Sequence, residues 1–129
     1  MKIRGEFEVN LAPIPPYHQG VEGIKVGRMS IDKVFRGELD ATSKGEMLSS
    51  MTAVQGSAGY VAIEQVSGKL SGKKGSFVLM HYGTMNRGQD HLILEVVPDS
   101  AAGELSGLQG KMKIEIRDGK HFYEFDYEL

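Results

Sequence analysis

Apolar and polar residues alternate one by one along much of this chain, which is typical of β-strands with one buried face. At the start, Ile3, Phe7 and Val9 alternate with charged residues. No apolar pattern with the 3.6-residue period of a helix persists over ten residues, and the 17 glycines separate short apolar runs. The pattern therefore predicts an all-β protein.

Turn signals divide the chain into eight predicted strands that are connected mainly as hairpins. The expected strands lie near residues 3–9, 23–35, 38–52, 61–67, 76–82, 90–97, 111–117 and 120–126. A proline-rich loop is expected over residues 11–20, and a shift in the apolar phase of the second strand suggests a bulge near Gly27.

Eight antiparallel strands suit closure into a barrel, because closure removes the exposed sheet edges. We therefore expect one domain over residues 1–129, a closed or nearly closed eight-stranded antiparallel β-barrel, with a sandwich of two open sheets as the alternative. The lumen of such a barrel is filled by side chains or holds one small ligand.

The last hairpin has the clearest register. Asp118-Gly119 between alternating runs is the signal of a type I′ turn, so opposed residue numbers should sum to 237. This pairing puts Met112 opposite Phe125 on one face, and Lys113 opposite Glu124 on the other. The aromatic face is expected to point inward.

The central hairpin contains the strongest candidate chemistry. With Gly72-Lys73 as a type II′ turn, opposed residue numbers sum to 145, and Glu64 faces His81. A partly desolvated Glu64 with a raised pKa could act as a general base or acid tuned by His81. The alternative is a satisfied buried pair that only fixes the register.

The chain resembles the DUF3224 family of bacterial proteins over most of its length. The resemblance rests on the runs 68–79 (GKLSGKKGSFVL), Val97-Pro98 and 103–110 (GELSGLQG), with His81 and Gly83 between them. It implies a fold like that of the allene oxide cyclase and dirigent-like barrels, which hold an apolar ligand. No residue of this chain matches the catalytic set of the cyclase, so none is assigned from it.

We expect the predicted inward positions to form a binding surface for a small, largely apolar molecule. The candidate ligand-binding residues are Tyr60, Phe77, Leu79, Leu94, Ile114, His121, Tyr123 and Phe125. No metal or other cofactor is expected, because the histidines lack the His-x-His and His-x-x-x-His spacings of a metal site. Catalysis by Glu64 with His81, as a cofactor-free isomerase or cyclase, is the alternative function.

Composition excludes several partners. The net charge is −2, and Lys and Arg are interspersed with Asp and Glu, which gives no basis for binding nucleic acid or an anionic membrane. The chain has no Cys and no apolar run long enough to span a bilayer, and it begins without the apolar segment of a signal peptide. A cytoplasmic protein is the expectation.

The opposite face of the central hairpin is also apolar. Val61, Ile63, Val78, Met80 and Tyr82 would project outward from strands four and five. A patch of this size is unusual on a monomer, so we expect a homo-oligomer through these two strands. An oligomer-forming structural module without a ligand is accordingly a third functional alternative.

Overall fold

The computed structural model describes all 129 residues as strands, turns and loops. No helix capable of crossing a lipid bilayer is present. The strands are β1 (Lys2–Pro13), β2 (Lys25–Gly37), β3 (Leu39–Met51), β4 (Ala58–Leu70), β5 (Lys73–Asn86), β6 (Gln89–Val96), β7 (Ala102–Gly103), β8 (Gln109–Arg117) and β9 (Lys120–Glu128).

Eight of these strands form a closed antiparallel barrel. Their order is β4-β3-β2-β1-β9-β8-β6-β5, and pairing of β4 with β5 closes the ring. The two-residue β7 is an extra strand that pairs with Gly75 and Ser76 of β5, on the same edge of β5 as β6. The predicted all-β barrel is confirmed, and the two-sheet sandwich is excluded.

Three hairpins turn through two residues with positive φ, which is the geometry of a type I′ turn. The turns are Ser71-Gly72, Arg87-Gly88 and Asp118-Gly119. In each, Gly is the second central residue and takes φ between 76° and 89°. The predicted register of the last hairpin is confirmed, including Met112 opposite Phe125 and Lys113 opposite Glu124.

The turn of the central hairpin lies one residue earlier than the sequence predicts. Ser71-Gly72 replaces Gly72-Lys73, so opposed residue numbers sum to 143, and Glu64 faces Leu79 while Ala62 faces His81. A type I′ turn with Gly in its second position is formed in preference to the predicted type II′ turn. Because the slip in pairing is two residues, Glu64 and His81 still point into the barrel.

Two other local predictions are wrong. The first strand continues through Pro13, whose position at the strand end does not interrupt the ladder. The β2–β3 ladder is continuous from Lys25 to Phe35, so no bulge is present near Gly27.

Inward-facing side chains fill one end of the barrel. Leu105 and Leu108, in the loop between β7 and β8, are 1% and 2% exposed and cover this end. The packed core consists of Phe7, Phe35, Leu39, Ala41, Val66, Leu70, Phe77, Leu79, Leu94, Val96, Leu105, Leu108, Met112, Tyr123, Phe125 and Tyr127.

The contact between β6 and β8 is the weakest ladder of the ring. Only Glu95 and Lys111 pair across it. Farther from the packed end, the inward positions Leu92 on β6 and Ile116 on β8 are 36% and 64% exposed. The barrel wall is therefore looser at this seam, toward the end opposite Leu105.

Removing the apolar side chain that covers the packed end should destabilise the fold. We expect Leu105→Ala to lower the free energy of unfolding by about 2–5 kcal/mol, because it leaves a cavity in a close-packed core. Urea denaturation followed by circular dichroism measures this loss. Met51→Ala, at a 55% exposed position, is the control and should change stability by about 0.5 kcal/mol or less; equal effects would contradict the role assigned to Leu105.

Candidate functional site

Four neighbouring strands place polar side chains together inside the apolar barrel. Lys33 on β2, Ser43 on β3, Glu64 on β4 and His81 on β5 are between 0% and 6% exposed. We call these four residues the ion cluster. Each occupies an inward position of its strand, and the tilt of strands in a barrel brings staggered positions to one level.

Glu64 is the centre of the ion cluster. Lys33 Nζ donates to Glu64 Oε2 at 2.8 Å, and Ser43 Oγ donates to Oε1 at 2.7 Å. His81 Nε2 lies 2.5 Å from Oε2. Both carboxylate oxygens are therefore satisfied by neighbouring side chains, as a buried charge requires.

The environment of Glu64 keeps the carboxylate ionised. Burial raises the pKa of Glu64, but the hydrogen bond from His81, the charge of Lys33, and the hydrogen bonds from Lys33 and Ser43 outweigh it and lower the pKa to about 2. The raised pKa expected from the sequence is therefore wrong in direction. Glu64 is an anion near neutral pH and is poorly suited to exchange protons with a substrate.

Lys33 and Ser43 are the members of the ion cluster that sequence reasoning missed, and Lys33 carries the countercharge. Its ammonium group lies 4.9 Å from the ring centroid of Phe7 and 5.8 Å from that of Phe35, close enough for cation–π contact. Lys33 lies between Ile31 and Phe35 in the inward phase of β2. The alternation of these residues could have identified Lys33 as an inward position, but the phase shift predicted near Gly27 left the inward side of this strand undecided.

The tautomer of His81 follows from its partner. An ionised carboxylate only accepts hydrogen bonds, so Nε2 of His81 carries a proton and donates it to Glu64. Nδ1 has no hydrogen-bond partner, whereas every fully buried side-chain polar atom has one, so Nδ1 retains contact with solvent. In a neutral ring this nitrogen presents a free lone pair.

Beyond the ion cluster, away from Leu105, the inward positions are apolar and several are small. Gly45, Ala62 and Gly83 are the next inward positions on β3, β4 and β5. We call this end the mouth; its larger side chains are Val9, Leu11, Ile31, Tyr60, Leu92 and Ile116. The ion cluster thus forms a polar floor beneath an apolar mouth.

The ring of Tyr60 covers part of that floor. A Cβ placed on Gly83 would lie 2.2 Å from the Tyr60 ring, so the ring fits only because residue 83 is Gly. The Tyr60 and His81 ring centroids are 6.2 Å apart. Partial burial, and then the charge of Glu64, raise the pKa of the Tyr60 hydroxyl.

The structure separates the candidate ligand-binding residues into two groups. Five are packed in the core and are at most 2% exposed: Phe77, Leu79, Leu94, Tyr123 and Phe125. The remaining three are half-buried nearer the mouth: Tyr60, Ile114 and His121. Among these candidate residues, the solvent-accessible surface is accordingly concentrated at the mouth.

Tyr123 illustrates the difference between an inward position and an open one. Its hydroxyl donates to the carbonyl oxygen of Arg36 at 2.8 Å and accepts a hydrogen bond from the backbone N–H of Leu39 at 3.2 Å. Burial raises the pKa of this hydroxyl. Tyr123 therefore ties β9 to the β2–β3 turn.

No group of three His, Asp or Glu side chains that could hold a metal ion is formed. His81 and Glu64 are in contact, but His121 packs on the ring of Phe7, with centroids 5.2 Å apart. The cationic Nζ of Lys33 occupies the third close position around Glu64.

The fold and the site together define a closed eight-stranded antiparallel barrel with an ionic cluster in its lumen. The model of the family described as "Protein of unknown function (DUF3224)" matches residues 3–127, and the chain belongs to this family. The resemblance found in the sequence is thereby confirmed.

A solved structure supports the same assignment. The chain is similar to a crystal structure of a DUF3224 family protein with unknown function from Shewanella oneidensis MR-1, with 60% sequence identity and a TM-score of 0.98. The match covers 100% of this chain and 96% of that one. No curated protein matches the chain.

Because Glu64 is ionised in the folded protein, the free energy of unfolding should depend on pH in the acid range. The pKa of Glu64 is about 2 in the folded protein against the ordinary value of 4.5, so its contribution to stability is present above about pH 4.5 and is lost as pH falls toward 2. The difference corresponds to about 3 kcal/mol. Glu64→Gln should lower the free energy of unfolding at pH 7 by about 3–5 kcal/mol, since it leaves Lys33 buried without a countercharge.

Urea denaturation from pH 7 down to pH 3 tests this assignment. As the pH falls, the free energy of unfolding of Glu64→Gln should decrease less than that of the parent protein. Glu46→Gln, which removes the exposed Arg28–Glu46 ion pair, is the matched control and should cost about 1 kcal/mol or less. Equal acid dependence in the parent and the Glu64 variant would contradict the assignment.

Proposed function

We propose that this protein binds a small, largely apolar molecule with one polar end at the mouth of its barrel. The observation that carries the proposal is the unpartnered Nδ1 of His81, at a polar floor beneath apolar side chains. A few placed polar groups within an apolar surface are typical of small-molecule sites. The apolar part of the ligand would contact Ile31, Leu92 and Tyr60.

The polar end of the ligand should be a hydrogen-bond donor. Both oxygens of the Glu64 carboxylate already accept hydrogen bonds from Lys33, Ser43 and His81, so a ligand has little to gain from that carboxylate. A neutral His81 offers only an acceptor at Nδ1 because its Nε2–H is bound to Glu64. A hydroxyl or N–H group therefore complements this site better than a carboxylate or a ketone.

The seam between β6 and β8 supports a route to this site. Leu92 and Ile116 are inward-facing yet partly exposed, and the ladder between their strands has a single residue pair. A ligand chain could enter between these strands with little loss of backbone hydrogen bonding. Rotation of Tyr60 away from Gly83 would further uncover His81.

Two probes of nearly equal shape test the donor requirement. We expect 1-decanol to bind about tenfold more tightly at pH 8 than decyl methyl ether, because only the alcohol can donate to Nδ1. Titrations followed by NMR should show the largest shifts at the backbone amides of Gly45 and Gly83. Binding of neither probe, or equal affinity for both, would refute the proposed site.

The variant His81→Phe keeps an aromatic ring but removes the acceptor. It should bind the two probes with equal affinity, whereas His91→Phe, on the exposed outer face of β6, should retain the preference for decanol. Thermal unfolding of each variant establishes that it is folded. Native mass spectrometry of protein purified from its own source can then identify a molecule that co-purifies.

A cofactor-free isomerase is the second candidate, and the position of Nδ1 favours His81 as its base. Nδ1 could remove a proton from the carbon next to a ketone and return it two carbons farther along an adjacent double bond. Glu64, which remains ionised, would orient His81 and stabilise its protonated ring. This reverses the roles of the two residues that the sequence suggested.

Deuterium incorporation tests the isomerase directly. A β,γ-unsaturated ketone such as 3-cyclohexenone, incubated in D₂O with the protein, should acquire deuterium and shift its double bond faster than in buffer alone. His81→Phe should remove the acceleration, and His91→Phe should keep it. A rate equal to that of buffer would exclude catalysis on this probe and leave binding as the function.

A further inference from the structure

The outward-facing residues of four adjacent strands form a continuous apolar surface. Alternation along each strand directs them away from the lumen, so they take no part in the core or the ion cluster. We call this surface the outer apolar face. Its members are 41–57% exposed: Leu48, Val61, Ile63, Met80, Tyr82 and Ile93.

The outer apolar face is a groove with defined borders. Its residues line a surface cavity of about 750 Å³, to which the wall positions Gly45, Ala62 and His81 also contribute. Tyr17, which is 100% exposed, borders the groove from the loop between β1 and β2. Arg28 and Glu46 lie at one border and Glu95 at the other.

The extent of this face is close to what a stable dimer requires. Six large apolar side chains, each about half exposed, present on the order of 600 Å², at the upper limit of the largest patch on a typical monomer. A stable interface of standard size buries about 800 Å² on each partner, so the charged border would contribute on the order of 200 Å².

The charges at the border are complementary to a second copy of the same surface. Arg28 and Glu95 lie on opposite sides of the groove. A two-fold axis in the interface and parallel to β4 would bring Arg28 of each copy against Glu95 of the partner subunit. Symmetric interfaces of this kind, in which one patch meets itself, are the commonest in soluble proteins.

We propose that the outer apolar face is a homo-oligomer interface, in which a second copy of this chain covers β4 and β5. The centre of the interface would be Ile63, Met80 and Tyr82, surrounded by the mixed charges of its border. The inference concerns the outside of the barrel and does not depend on a ligand in the lumen.

Sedimentation equilibrium at micromolar concentrations tests the proposal. We expect a mass at least twice the 14.1 kDa of one chain. Ile63→Lys and, separately, Tyr82→Glu place a charge at the centre of the interface and should each raise the dissociation constant by at least about a hundredfold. Val34→Lys is the matched control, because Val34 is a 38% exposed apolar residue on the outer face of β2 beyond the groove.

The outcomes separate an interface from a monomeric surface. An assembly that dissociates with both central substitutions and persists with Val34→Lys would establish the interface. A monomeric mass for the parent protein at tens of micromolar, or an assembly that survives both Ile63→Lys and Tyr82→Glu, would overturn the proposal. Thermal unfolding of each variant shows whether a lost assembly reflects unfolding instead, in which case the milder Ile63→Ser replaces Ile63→Lys.

Discussion

Pairing of β4 with β5 is the constraint on which the rest of this structure depends. It closes the sheet into a barrel and joins thirteen residue pairs in one unbroken ladder, from Leu70 with Lys73 to Ala58 with Met85. Because side chains alternate across a ladder, this pairing sends Glu64 and His81 inward and Ile63 and Tyr82 outward. The polar floor and the outer apolar face are two sides of the same hairpin.

A buried carboxylate with three side-chain partners is a costly feature for a small barrel. Transfer of Glu64 and Lys33 from water carries a large desolvation penalty, and well-packed apolar residues could replace such a pair with little loss of stability. The carboxylate itself is nevertheless fully paired, since both oxygens of Glu64 accept hydrogen bonds. Nδ1 of His81 has no hydrogen-bond partner, and this free acceptor is the group that the proposed binding site would use.

Alternation and turn chemistry were sufficient to predict the architecture. The Asp118-Gly119 turn specified the last hairpin residue by residue, because a two-residue loop leaves one register. The central hairpin was harder, since both Ser71-Gly72 and Gly72-Lys73 place Gly at an acceptable turn position. Both registers keep Glu64 and His81 on one face. The predicted contact between these two side chains is therefore present, although the two residues are not directly opposite each other in the ladder.

The ion cluster itself could be predicted only in part. The contact of Lys33 with Glu64 joins strands β2 and β4, which are not neighbours in the sheet, and such a contact depends on the tilt and curvature of the closed wall. The pKa of Glu64 is lowered first by the hydrogen bond from His81 and then by Lys33 and Ser43, two partners that the sequence did not indicate. Likewise, an inward position alone did not distinguish Tyr123, which is packed in the core, from Tyr60, which is at the mouth.

The fit of the Tyr60 ring onto Gly83 links two positions that are distant in sequence and adjacent across the β4–β5 ladder. A side chain at residue 83 would displace the Tyr60 ring from this position, unless a smaller residue stood at position 60. We therefore expect the two positions to covary among relatives that share this barrel. Divergence at this pair would alter the shape of the entrance while leaving the wall of the barrel intact.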